Sequence, residues 1–163
     1  MTFNPGSWLK GALAGLAFLA TTAAMSNIAT YANQRYGYSI RYPADLFVTE
    51  READNGDGRA FHARRGGTRF LVWGSHNALD QTPADLAAEA SQECRRHLAD
   101  YKVVKPHLVA VSCIGDDGRV FYQKTLIHDD LLTTFRMTYP SAERSRWDAV
   151  LEQLSGSLTA SRP

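Results

Sequence analysis

From Tyr36 to Tyr42 the chain alternates without a break. Tyr36, Tyr38, Ile40 and Tyr42 fall on one side, and Gly37, Ser39 and Arg41 on the other. A period of two marks a strand with one buried face, and Pro43 stops it. Asp54-Asn-Gly-Asp-Gly58 is a turn cluster. Strands at about Arg59–Ala63 and Arg69–Gly74 follow, joined through Gly66-Gly67 as a hairpin. The period then lengthens. Thr82-Pro83-Ala84-Asp85 opens a helix, with Thr82 as cap, Pro83 at the first position and Asp85 against the first-turn amides. Leu86, Ala90, Cys94 and His97/Leu98 form its apolar stripe, and it ends near Asp100.

Val103-Val104 and Leu108–Cys113 are strand pieces around Pro106, and Gly115-Asp-Asp-Gly118 is a hairpin turn. Val120–His128 makes the next strand, Asp129-Asp130 turns the chain, and Leu131–Tyr139 follows. In that last strand Leu131, Phe135, Met137 and Tyr139 share one face, opposite Arg136 and Thr138. Pro140-Ser141 begins a second helix, whose stripe is Trp147, Val150, Leu151, Leu154 and Leu158; Gly156 loosens or ends it. Tight turns imply antiparallel neighbours, and two one-sided helices must bury their stripes against a sheet. The expected fold class is α+β: an antiparallel β-sheet flanked by helices, an α/β/α sandwich.

The first 25 residues depart from this pattern. Lys10 is their only charge, Gly11–Ala20 is apolar, and Thr21-Thr-Ala-Ala24 supplies small residues. That is the layout of a secretory signal peptide over residues 1–24, cut after Ala24 with Thr22 at the −3 position, or after Ser26. The apolar run is shorter than the roughly 20 residues that span a bilayer comfortably, so no stable membrane anchor is expected after cleavage. The reading is therefore a loose lead-in at 25–35, one α+β domain at 36–158 and a tail at 159–163. The domain is of a size that buries one sizeable core.

Export changes how the two cysteines are read. An even count in an oxidising compartment suggests a disulfide; two buried free thiols are the alternative. Cys113 shares a strand face with Val109 and Val111, and Cys94 lies on the first helix's stripe. If that helix covers that face, the sulfurs meet.

Charge narrows the partners. The whole chain has 18 basic and 17 acidic residues, and loss of Lys10 leaves the mature chain neutral. Nucleic acid needs a basic face, and Arg64-Arg65, Arg95-Arg96 and Arg144/Arg146 are short and dispersed. No nucleic-acid partner is expected.

Reaction signatures are equally thin. Read as a calcium loop from Asp54, the third, fifth and twelfth positions are Gly56, Gly58 and Arg65, so the ligand register fails. His62, His76, His97, His107 and His128 show no paired metal-ligand spacing. There is no GxSxG elbow, GxGxxG or GxxxxGK[ST]. Ser75-His76 is only a dipeptide, and Asp116-Asp117 and Asp129-Asp130 lie in turns. The expectation is no catalytic residue, no metal and no cofactor. An aromatic set, Tyr36, Tyr38, Tyr42, Trp73, Phe121, Tyr122 and Phe135, either makes the core of a small sandwich or borders an apolar pocket or partner surface.

The segment Tyr36-Gly-Tyr-Ser-Ile-Arg-Tyr-Pro-Ala-Asp-Leu-Phe47 resembles the opening strand of Mog1/PsbP-like proteins. The later order is similar too: Phe70-Leu-Val-Trp-Gly74, a capped helix, Val120-Phe-Tyr-Gln-Lys124, Phe135-Arg-Met-Thr-Tyr-Pro140 and a last helix with a late leucine. The resemblance covers most of residues 36 to 158, and looks strongest to small exported bacterial proteins of that fold. It implies an antiparallel sheet with helices packed on it and a non-enzymatic role as a binding or assembly accessory. Its motifs are structural, so no site residue carries over. The expected function is a periplasmic or secreted accessory acting through its surface on another envelope protein or complex. A small apolar-ligand carrier and a periplasmic immunity or inhibitor protein are the alternatives.

Overall fold

The computed structural model describes residues 27–94 and 99–160. In chain order these form β1 (Ile28–Asn33), β2 (Tyr38–Pro43), β3 (Phe47–Thr49), β4 (Gly58–Ala63), β5 (Arg69–His76), α1 (Pro83–Ser91), β6 (Tyr101–Lys105) and β7 (Leu108–Ile114). β8 (Arg119–His128), β9 (Leu131–Pro140), α2 (Arg144–Ser157) and β10 (Thr159–Ala160) follow. The expected signal peptide at 1–24 lies outside the described residues, as do His97 and Leu98 of the first helix's stripe.

Seven strands make one antiparallel sheet in the order β3-β4-β5-β9-β8-β7-β6. The tight turns at Gly115–Gly118 and Asp129-Asp130 set consecutive neighbours, and β9 closes back onto β5, with Phe70 opposite Met137 and Val72 opposite Phe135. Asp129 takes a left-handed conformation (φ 54°), which a short polar side chain tolerates. The α+β class, a sheet flanked by helices, is the fold observed.

One face of this sheet is thickly covered. α2 and a second sheet, β1-β2-β10, lie over it. Ile40, Phe47, Phe61, Phe70, Phe135, Met137, Trp147 and Leu154 are fully or almost fully buried there. Phe61 stacks on Phe70 with centroids 4.2 Å apart, and Phe47 meets Trp147 at 5.6 Å. The other face carries α1, a capped helix as its sequence predicts. The Thr82 hydroxyl accepts from the Asp85 amide and the Asp85 carboxylate from the Thr82 amide. The Thr82 hydroxyl and the Thr82 amide both donate to the Asp85 carboxylate, which holds this carboxyl below its ordinary pKa.

Two expectations need correction. Residues 28–33 are no loose lead-in but an edge strand, paired along its length with β2. Its outward residues are exposed, whereas Tyr31 and Asn33 are buried in a polar network. Tyr31 Oη donates to Glu52 Oε1 (2.8 Å), and Asn33 Nδ2 donates to the Gly56 carbonyl (2.9 Å). A hydrogen-bonded buried Asn leaves no hydrophobic alternation to read. The tail at 159–163 likewise begins as a strand, with Thr159 and Ala160 opposite Ser39 and Tyr38. α2 runs one residue past Gly156, to Ser157.

Tyr36 leans on Gly74. A Cβ at Gly74 would lie 2.4 Å from the Tyr36 Cβ and Cγ, so the glycine is what lets the ring close down on β5. Gly74→Ala is expected to lower stability by about 1–3 kcal/mol through this overlap. In chemical denaturation the same change should cost clearly less on a Tyr36→Ala background; equal costs would mean the ring is not the obstacle.

Burial raises the phenol pKa of Tyr38 and Tyr139 far above 10, and that of Tyr31 and Tyr122 less strongly. A nearby tyrosine adds to the effect at Tyr38, and the Asp148 carboxylate at Tyr139. Since the folded state holds these protons more tightly than the unfolded chain, their stabilisation is complete below pH 10 and is lost as pH climbs above it. Denaturant midpoints should therefore fall from pH 10 upward. Tyrosinate absorbance from these residues should appear with unfolding rather than before it.

Candidate functional site

The second sheet face is where the structure leaves chemistry in reach of solvent. Strand pairing lays its side chains out in rows. One row runs Val48, His62, Arg69, Thr138, Phe121, Cys113; the next runs Ala60, Leu71, Arg136, Gln123, Val111. A third holds Gly58, Trp73, Thr134, Thr125 and Val109.

α1 covers only the far end of these rows. Leu86, Ala87 and Ala90 bury themselves with Val109, Val111, Phe121 and Leu132. The chain then tightens into a 3-10 turn at Gln92–Cys94, and Cys94 bonds to Cys113 with Cα atoms 5.8 Å apart. Both sulfurs are sealed in, the residues being 4% and 1% exposed. The faces read from the sequence bring together the cysteines that the structure joins.

The near end is less covered among the described residues. Val48 is 48% exposed, and Ala60, Leu71 and Trp73 are half-buried. Gly58 stands opposite Trp73, where an added Cβ would lie 2.2 Å from the Val72 carbonyl oxygen. Arg136 sits at the border. Its Nε and Nη2 donate to Gln123 Oε1 at 2.9 and 2.7 Å, and Nη1 is 3.6 Å from Glu93 Oε1. Its guanidinium carbon is 5.6 Å from the Trp73 ring centre and 5.3 Å from that of Phe121, within cation–π range. Arg119 donates to the carbonyls of Gly67 and, at 3.3 Å, Thr138. His62 contacts the Glu50 carboxylate, and Arg69 is exposed beside it.

The aromatic set therefore divides. Tyr36, Tyr38 and Phe135 are core residues of the first face, and Tyr42 packs against that core at 4.8 Å from Phe61. Tyr122 joins the same core while its hydroxyl meets Ser155 Oγ at 2.8 Å. Beside it Lys124 donates to the Ser155 carbonyl at 2.7 Å, and burial lowers its pKa. Phe121 lies under α1. Trp73 alone of the set reaches the uncovered half. Open clefts among the described residues include one of about 340 Å³ beside Tyr101, Tyr122 and Leu151, one of about 300 Å³ around Glu93, Asp116 and Arg119, and one of about 250 Å³ beside Glu50, Asp57, Leu71 and Trp73. His62, His76 and His128 each face a single carboxylate. Among the described residues no three metal-ligating side chains gather in one place. The sequence reading missed Val48, on a strand of three residues too short for periodicity, and the approach of Arg136 to Trp73, which lies far from it in the chain.

Replacing both cysteines by alanine opens a loop of 19 residues' separation and is expected to cost about 3 kcal/mol by loop entropy. Comparison of denaturation curves for the double variant and the oxidised protein measures this. A loss much below 1 kcal/mol would mean that apolar packing alone seats α1.

No protein-family model matches the chain. No curated protein matches it at a significant level. Among solved structures it is similar to cyanobacterial PsbP (CyanoP) from Synechocystis sp. PCC 6803, with a TM-score of 0.61 and 12% identity over 86% of this chain and 96% of that one. At that identity the likeness concerns the fold, and the fold of this chain is PsbP-like.

Proposed function

We propose that the chain is an exported, non-catalytic accessory or binding protein that acts through its surface in the periplasm or outside the cell. The observation that carries this reading is the half-covered sheet face, where Val48 is exposed and Leu71 and Trp73 are half-buried although α1 buries the far end. Contiguous apolar side chains rimmed by charge mark interaction sites more often than idle surface. Two further features support export. The disulfide suits an oxidising compartment, and residues 1–24 have the order of a signal peptide. Among the described residues no helix is long and apolar enough to cross a membrane. The expected partner is another envelope protein or complex. A ligand-carrier role has less in its favour, because Tyr36, Tyr38 and Phe135 fill the core instead of lining a cavity.

The test is made in the native cells with the full-length chain, carrying a photo-crosslinking residue at Val48, at Leu71, or on the solvent side of α2. The protein is expected in the periplasmic or secreted fraction, beginning at or near Met25, with discrete adducts to an envelope protein. Recovery from the cytosol with Met1 attached, or no adduct from any position, refutes the reading.

A further inference from the structure

We infer that two copies of the chain join their sheets edge to edge, β6 against β6 in antiparallel register, with Lys105 of each copy lying over Tyr101 of the other. This goes beyond the surface-acting reading and does not depend on it. β6 and β3 are opposite ends of the seven-stranded sheet, so the pairing leaves Val48 and Trp73 free.

β6 pairs with β7 on one side, and no strand among the described residues pairs with its other side. Such an edge presents a row of backbone donors and acceptors to any strand that fits. It is also apolar where it meets water, with Tyr101 50% and Val104 45% exposed. Lys102 and Lys105 interrupt it. Lysine on an edge discourages pairing most where it meets another lysine, so register decides what this edge accepts.

A two-fold axis perpendicular to the sheet keeps each face on its own side, so pairing of the strand with its own copy must centre on a residue. Centred on Val103, all five residues of β6 pair. Val103 meets itself, Lys102 meets Val104, and Tyr101 meets Lys105. Centring one residue earlier sets Lys102 against itself. Centring one residue later brings Pro106, which lacks an amide hydrogen, opposite Lys102. In the favoured register the two Lys102 side chains stand only diagonally, about 7–8 Å apart. A strand from another protein is the competing occupant, and this self-complementary order favours the second copy.

The cleft at this end of the sheet supplies a second reason. Pairing carries Tyr101 through Ser112 to Tyr122, on the face that α2 covers. Both tyrosines line the cleft of about 340 Å³, with Asp148, Leu151 and Glu152 among others. Most of the charge there is engaged. Asp148 accepts from Tyr139 Oη and Arg144 Nε at 2.7 and 3.3 Å, and Lys124 donates to the Ser155 carbonyl. Neither Glu152 nor Lys105 has a hydrogen bond or ion pair among the described residues. Cross-strand partners stand about 4.5–5.5 Å apart at Cβ. The second copy's Lys105 is thereby placed over the Tyr101 ring, within cation–π reach and with its ammonium toward Glu152. One unspent carboxylate meets one unspent cation, twice about the axis.

Sedimentation of the oxidised exported chain, up to about 1 mM, is expected to show a reversible equilibrium between monomer and dimer. The β6 amide resonances should shift in step with concentration. Lys105→Glu and Glu152→Lys should each weaken the dimer about tenfold, and the two together should restore it. Val103→Lys sets like charges on the axis and should abolish it. Lys105 and Glu152 are exposed, so their variants should melt like the parent, which is checked in parallel. A monomer at every concentration, shifts confined to another strand, indifference to Val103→Lys, or no rescue in the charge-swapped pair each overturns the inference. Crosslinks from β6 in cells to a different protein, and none to a second copy, overturn it in favour of a foreign strand.

Discussion

The controlling constraint is geometric: a wide sheet has two faces, and among the described residues one short helix lies on the second. Seven strands about 4.8 Å apart span about 29 Å. A helix of nine residues is about 13.5 Å long and about 10 Å wide. Laid in either direction it covers about three strands. The first face escapes this shortage because α2 shares the work with the three-stranded sheet. The second has no such help among the described residues, so part of it must be built to meet water.

The position of α1 follows from what it can bury. Its inward side chains are a leucine and two alanines, a modest apolar area at about 25 cal/mol per Å². Alone, such a helix holds weakly. The Cys94–Cys113 bond adds a covalent stitch where the helix ends, and pins it over β7 rather than over the sheet's middle. The uncovered strands compensate differently. β3 has three residues, Ala60 and Gly58 present little side chain, and Arg136 spreads its planar head near Trp73. The flat cation shields aromatic surface that would otherwise be wet.

Much of this was legible in the chain itself. The phase of the first helix and of the strand bearing Cys113 placed both sulfurs on facing apolar surfaces, because Leu86, Ala90 and Cys94 recur at helical spacing and Val109, Val111 and Cys113 at a spacing of two. β1 was not legible: Ile28-Ala-Thr-Tyr-Ala-Asn33 buries a tyrosine and an asparagine through hydrogen bonds, and hydrophobic periodicity cannot register a polar partner. Trp73 was grouped with the other aromatics for a related reason. Phe70-Leu-Val-Trp73 is apolar on both faces, so alternation does not reveal which side the indole takes. Only pairing with β9, where Phe70 meets Met137 and Leu71 meets Arg136, sets it apart. The guanidinium cluster needed the same information, since Arg69, Arg119 and Arg136 come from three strands brought together by topology.

A half-open sheet face is also a hazard, because a second copy of the same surface is always the nearest available cover. Pairing two identical faces about a two-fold axis sets each patch against itself. Here that would bring Arg69, Arg119 and Arg136 toward their own counterparts, and like charge desolvated at an interface costs several kcal/mol. Arginines on this face thus discourage it from closing on itself. An apolar floor alone would bind another copy; arginines beside it oppose that.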